Sequence, residues 1–299
     1  MESGKPKSIS DPDDPPRSQR GKMRIHALTI DVEEWFHDDW RADRGADWDS
    51  LSSTVQGSVR LLLDLLEEAG SRATFFVLGD VANRQPALVR SIAAAGHEIA
   101  SHGYAHRRVA TQTRSEFAAD VEASLAVLAD CTGMAVQGYR APYFLRDPSE
   151  LWTIEVLAEY GLRYDASYVP VRWMPYVGRS IPRVPYRHPC GMWEFPLPFA
   201  EAFGGWNLPY AAGGPFLRFL PYTTLHRFLR AHEDAVGSAV VYMHPWELDA
   251  VSRSLPGTPR HVRLWKRLGR GRTRANLARL LADFRFAPIH EVYATELAG

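Results

Sequence analysis

Cysteine is scarce. Cys131 and Cys190 are the only two in the chain, too few for a disulfide scaffold or a thiolate zinc cage. Two free thiols in a reducing compartment are the expected state. No apolar run approaches the roughly 18 residues that a transmembrane helix needs. Neither sign of charge is in excess, since 35 Lys and Arg balance 35 Asp and Glu; a dedicated nucleic-acid binder would be basic as a whole. Residues 1–22 hold four prolines and almost no large apolar side chain. Such a stretch cannot bury enough surface to offset its chain entropy, and it is expected to be a disordered tail. It also lacks the continuous apolar segment of a secretory signal, which makes the cytoplasm the expected location. What remains is ample: 299 residues, 45% of them hydrophobic and 23% charged, describe a globular chain with a sizeable core. Nine Trp and twelve Tyr suit a sugar-binding surface and an ordinary core alike.

From Arg24 onward, short apolar runs alternate with longer amphipathic ones. Strands are expected at Ile25–Val32, Ala73–Leu78, Glu98–Ser101, Val136–Arg140, Met192–Phe195 and Ala239–His244. Helices are expected near Gln56–Ala69, Pro86–Ala95, Ser115–Asp130, Glu150–Tyr160, Thr223–Ala235 and Asn276–Phe284. Val59, Leu62, Leu63 and Leu66 share one helical face, and Gly70 and Gly96 stand where left-handed caps would close two helices. Ser115 with Ala118 makes only half a capping box. Strand–helix alternation implies parallel strands joined by crossover helices, hence an α/β sheet or barrel. Such a sheet gathers its active site at the carboxyl ends of its strands. Residues 168–221, rich in Pro, Gly and aromatics, break the rhythm and read as long irregular loops around one or two strands.

Four strand ends carry chemistry-bearing residues. Asp31 and Glu33 point to one face of the first strand, poised to divide the roles of general base and metal ligand. In Ser101–His106, His102 and His106 stand at i and i+4, so on one side of a helical turn they could grip one divalent cation. Imidazole with carboxylate suits zinc, cobalt, nickel or iron better than magnesium. Arg140 beside an acid would keep that acid ionised and oriented. Pro142 stiffens the turn that aims the following N–H, that of Tyr143, at a developing oxyanion. A buried-looking strand delivers His244, whose near-neutral imidazole suits a general acid. Each signal alone is ordinarily structural; their shared placement is what an active face requires.

These segments, together with Tyr164-Asp165-Ala166-Ser167, resemble in order the signature motifs of the polysaccharide deacetylases, carbohydrate esterase family 4 with the NodB-homology fold. The resemblance runs from about Arg24 to near the C-terminus. Gly191–Pro196, His244–Asp249, Gly213–Tyr222 and Leu280–Pro288 further resemble the subgroup encoded with exosortase (PEP-CTERM) exopolysaccharide loci. The resemblance implies a distorted (β/α)7-type barrel over residues 23–299. It also implies a metal-dependent hydrolase that removes N-acetyl groups from an N-acetylhexosamine polysaccharide, with a divalent metal, zinc first among the candidates. It makes Asp31 the base, Glu33, His102 and His106 the metal ligands, and Arg140 the partner of Asp31. The Tyr143 amide becomes an oxyanion donor, Asp165 a support and His244 the acid. The sequence departs from the commonest pattern at its first acids: Val32 separates Asp31 from Glu33, and Glu34 competes with Glu33 as third ligand. Rival readings are an amidohydrolase of the same fold acting on a small cyclic imide or ureide, an O-acetyl esterase, and a non-catalytic carbohydrate binder. The segment Arg260–Arg274 carries seven Lys or Arg residues, and no acid lies between Ala250 and Ala282. It reads as a solvated loop or as a contact for an anionic or lipid-linked polysaccharide.

Overall fold

The computed structural model describes residues 24–37, 48–145, 148–169, 182–201, 207–209, 213–249 and 251–299. The expected tail at 1–22 and part of the aromatic-rich region lie outside the described residues. Strand β1 (Ile25–Val32) organises the sheet, because seven of its eight residues are buried. It pairs in parallel with β2 (Thr74–Val77), with β10 (Val240–Met243) and, at its start, with β11 (Arg285–Ala287). The order runs β10–β1–β2–β3–β4–β5–β7–β6, where β3 is Glu98–Ser101, β4 Gly138–Tyr139, β5 Tyr164–Asp165, β6 Tyr186–Arg187 and β7 Trp193–Glu194. The path from β10 to β7 is parallel throughout, and only β6 joins it antiparallel. The sheet curls into a half-barrel. A separate antiparallel pair, β8 (Phe199–Glu201) with β9 (Asn207–Pro209), stands apart from it.

Alternation along each strand sorts the two faces. Leu28, Ile30 and Val32 of β1, Phe75 and Val77 of β2, and Val241 and Met243 of β10 face one large apolar cluster with Val59, Leu62 and Leu66. The last three lie on α1 (Val55–Glu68). The same cluster receives Leu88 and Val89 of α3 (Pro86–Ala94), Leu225 and Leu229 of α7 (Tyr222–Ala235) and Leu277 of α9 (Arg270–Asp283). On the concave face, Ala27, Phe76, Ala100, Val240 and Tyr242 form a second cluster with Tyr164 and Phe195. Thr29 and Asp31 continue that inner face toward the carboxyl ends.

Several boundaries differ from the sequence reading. The 260–274 segment is not a loop: it forms α8 (Arg260–Arg267) and the first turn of α9, which starts six residues before the expected Asn276. The helix expected from Ser115 is α4 (Arg114–Thr132), and its capping box is complete, with Thr113 as N-cap and Glu116 in return. Gly70 and Gly96 do hold left-handed backbone, φ 59° and 82°. The described parts of 168–221 hold four short strands and α6 (Pro215–Phe219), more order than expected. Gly213 docks against β10, where a Cβ would clash with the Tyr242 carbonyl oxygen, so that approach requires glycine.

Candidate active site

Glu33 follows directly on β1 and is 1% exposed. Its Oε1 accepts a hydrogen bond from Trp246 Nε1 (2.9 Å), which turns Oε2 toward the histidine pair. His106 Nε2 lies 2.6 Å and His102 Nε2 4.0 Å from that oxygen. One atom from each of the three residues falls within 4.8 Å of the others, the geometry of a cation site. His102 Nδ1 meets the Arg140 carbonyl oxygen at 2.8 Å. Donating that bond leaves the Nε2 lone pair free and aimed at Glu33, as in a metal-ligand imidazole. Burial pushes His102 down to about 4, so it stays neutral. Burial opposes ionisation of Glu33, but His106, which lies in hydrogen-bond reach, and the charge of His244 hold it well below the usual carboxylate range.

The histidines do not meet across a helical turn, as their i, i+4 spacing suggested. Residues 102–108 are irregular. Gly103 (φ 73°) and His106 (φ 51°) take left-handed backbone, and the Asp120 carboxylate on α4 accepts from the Tyr104 and Ala105 N–H groups at 2.7 and 3.1 Å. That brace leaves no room for a side chain at 103, where a Cβ would meet Asp120 Oδ2 at 2.9 Å.

Asp31 sits beside this cluster. Arg140, fully buried, donates from Nη1 to Asp31 Oδ1 and to Thr29 Oγ1, each at 2.7 Å, and from Nε to the Ala166 carbonyl at 2.9 Å. His244 brings its Nε2 to 4.0 Å from Asp31 Oδ2 and 3.7 Å from Glu33 Oε1. Its Nδ1 faces Glu247 Oε1 at 3.5 Å. Burial disfavours the imidazolium, but Glu247, Glu33 and Asp31 outweigh it and raise His244 to about 10. Tyr143 holds φ 61°, a strained value for a non-glycine residue. Its ring packs on His106 with centroids 4.7 Å apart and carries the Arg108 guanidinium 3.6 Å above it.

Two expected residues stand elsewhere. Glu34 turns away, its Oε2 accepting the Thr54 N–H at 2.9 Å at the start of α1, so it does not compete with Glu33. Asp165, expected as a support, reaches the site indirectly. It accepts from Ser167 Oγ at 2.5 Å and pairs with buried Glu194, so its link to the site runs through Ser167, which also accepts the Ala141 N–H at 2.7 Å. Burial pushes both carboxyls up, Glu194 to about 7. The place beside the His244 imidazole belongs to Glu247. Sequence reading did not single out Glu247, Trp246, Asp120 or Glu194. The i, i+3 spacing of His244 and Glu247 on a 3-10 turn, Pro245–Leu248, was the available signal.

Residues 45–164 match the family model "Polysaccharide deacetylase", and residues 166–294 match "Domain of unknown function (DUF3473)". A peptidoglycan deacetylase of Helicobacter pylori is 31% identical over 139 residues, 46% of this chain and 46% of that protein. A chitooligosaccharide deacetylase of Sinorhizobium fredii is 34% identical over 113 residues, 38% of this chain and 48% of the other. The chain thus spans about half the length of these curated relatives. A solved structure from Mycobacterium smegmatis, assigned as a polysaccharide deacetylase, superposes with a TM-score of 0.62 at 25% identity and covers 97% of this chain and 93% of the other. The fold is the NodB fold of the carbohydrate esterase family 4 deacetylases.

Proposed function

We propose that this chain, which carries the polysaccharide deacetylase fold and its family match over 45–164, is a metal-dependent hydrolase. In this reading it removes N-acetyl groups from an N-acetylglucosamine-type polysaccharide. The observation that supports it most is the buried trio Glu33, His102 and His106 beside an arginine-held aspartate and a carboxylate-held histidine. The donor set fits a borderline cation such as zinc: two imidazoles, one fixed in the ligating tautomer, and a carboxylate oxygen that is buried without a hydrogen-bond donor. A divalent cation held there would supply Lewis-acid polarisation of the acetamide carbonyl and a more acidic water.

The chain's own residues do the rest. Asp31 takes the proton of the attacking water, because Arg140 Nη1 fixes its Oδ1 and leaves Oδ2 toward the site. His244 gives a proton to the departing amine; Glu247 orients its ring and favours the imidazolium. The Tyr143 amide assists at the oxyanion, and Asp165 acts at one remove, by fixing Ser167 and with it the Arg140–Ala141 backbone. The products are acetate and a free amine. The exopolysaccharide substrate suggested by the motif likeness is in keeping with the DUF3473 match over 166–294.

Acetate release from N-acetylated glucosamine oligosaccharides, measured with and without a chelator and after zinc re-addition, tests this reading. Release that the chelator abolishes and zinc restores is expected. Release insensitive to chelation, with no metal in the purified protein, rejects it.

A further inference from the structure

The structure holds a second feature that the catalytic reading does not use. Beside the 3-10 turn that follows His244 lies a cavity of about 940 Å³, lined by Arg260, Arg263, Arg267, Arg270, Ser252 and Ser254. On α8 the first three arginines fall within about a sixth of a turn of one another at 100° per residue, and the buried Lys266 stands to one side of them. All three are exposed, and no ion pair joins any of them to a carboxylate among the described residues. The neighbouring acids face away. Asp249 accepts hydrogen bonds from Thr54 and Ser58, and Glu247 faces His244 and Arg218. Arg270 is different in kind: it is 8% exposed, and its Nη1 donates to the Trp246 carbonyl at 2.9 Å and the Asp249 carbonyl at 3.2 Å. One cavity wall is therefore fastened to the backbone that carries His244 and Glu247.

Three guanidinium groups line this one cavity, and among the described residues no carboxylate forms an ion pair with any of them. Guanidinium forks match the oxygens of a phosphate in pairs, and two serine hydroxyls add neutral donors. We propose that this cavity binds a phosphate or pyrophosphate ester group, and that it serves as an anionic subsite for a glycan whose acetamide lies in the neighbouring site. The second half of that statement rests on the deacetylase reading; the first does not.

Two measurements separate the halves. In calorimetric titration of the wild-type chain with inorganic pyrophosphate at low salt, binding is expected, and it should weaken as salt rises. R263A/R267A should weaken it by about tenfold or more for each guanidinium removed. R263K/R267K, which keeps the charge but loses the fork, should restore binding only in part. Both pairs are exposed, so an unchanged melting temperature is expected and is measured alongside. In acetate-release assays the R263A/R267A variant should keep wild-type turnover of a neutral oligosaccharide and show a raised KM only for a phosphorylated one. Pyrophosphate binding with no acetate release would sink the deacetylase reading and leave the anion site standing. Absence of pyrophosphate binding, binding equal in wild type and R263A/R267A, or binding only to phosphatidylglycerol vesicles would overturn the anion site.

Discussion

At the scale of single residues, the proposed reading divides the site into groups that would hold a cation and groups that would move protons, and substitution separates them. His102→Ala removes a ligand whose lone pair is already aimed at Glu33 Oε2, so the protein should lose its bound metal in elemental analysis. His244→Ala should keep the metal and lose about 10²–10⁴-fold in turnover, the usual contribution of a positioned acid. Full metal content in His102→Ala, or unimpaired turnover in His244→Ala, would reassign those residues. Arg140 belongs to both folding and chemistry. Its three hydrogen bonds tie β1, β4 and the residues after β5 at one buried point. Arg140→Met leaves the Asp31 carboxylate buried without its counter-charge, which costs about 3–5 kcal/mol. Urea unfolding of Arg140→Met should show that loss. Adding Asp31→Asn to Arg140→Met should recover part of it, because the uncompensated charge is then gone; no recovery would mean that lost hydrogen bonds, not charge, set the cost.

At the scale of elements, α4 owes its start to a box that propensity alone misses. Thr113 caps the helix while the Glu116 carboxylate accepts the Thr113 N–H at 2.8 Å. Thr113→Ala should cost about 1 kcal/mol, read as a lower denaturation midpoint at unchanged slope. Asp120 on this helix also braces the loop carrying His102 and His106, so fraying from its N-terminus should weaken metal retention as well. Legibility in the sequence followed the same physics. Strands β1, β2, β3 and β10 and helices α1, α3 and α7 were readable within a residue or two, because one face of each fills the large apolar cluster and leaves a regular pattern. Helix α8 was not, since its buried residue is Lys266 and its polar composition mimics a loop. Asp31, Glu33, His102, His106, Arg140 and His244 converge as their strand-end positions implied, whereas the histidines reach each other through left-handed backbone that spacing cannot encode. Glu194 escaped because its partner Asp165 lies across the fold, and Glu247 because a single i, i+3 pair on a short 3-10 turn makes no repeating pattern. Asp165, expected as a support, is tied to the site through Ser167, a link that its pairing with Glu194 across the fold left invisible in the sequence.

At the scale of the whole molecule, the curled sheet draws its polar groups to the carboxyl ends and seals some of them in. Asp165 and Glu194 end adjacent parallel strands, β5 and β7, and both are 0% exposed. Two carboxylates cannot both ionise there without strong repulsion in a poorly solvated space. Burial is the main cause that raises Glu194 from 4.5 to about 7, with His188 at 3.6 Å from its other oxygen. The protonated folded form therefore binds a proton that the unfolded chain releases above pH 4.5. The stability this confers is fully present below about pH 4.5 and is lost as pH rises through about 7. At roughly 1.4 kcal/mol per unit, the loss amounts to about 3 kcal/mol at most. Its consequences reach beyond the pair, because the Tyr168 N–H is held by Glu194 at 3.0 Å and Ser167 by Asp165, and the intervening Ala166 carbonyl anchors Arg140. Glu194→Gln mimics the neutral acid at every pH. The variant should match the wild type in unfolding free energy near pH 5 and exceed it near pH 8, the two curves parting as pH rises through about 7. A stability difference that stays flat from pH 5 to 8 would show that the two strand ends carry no shared proton.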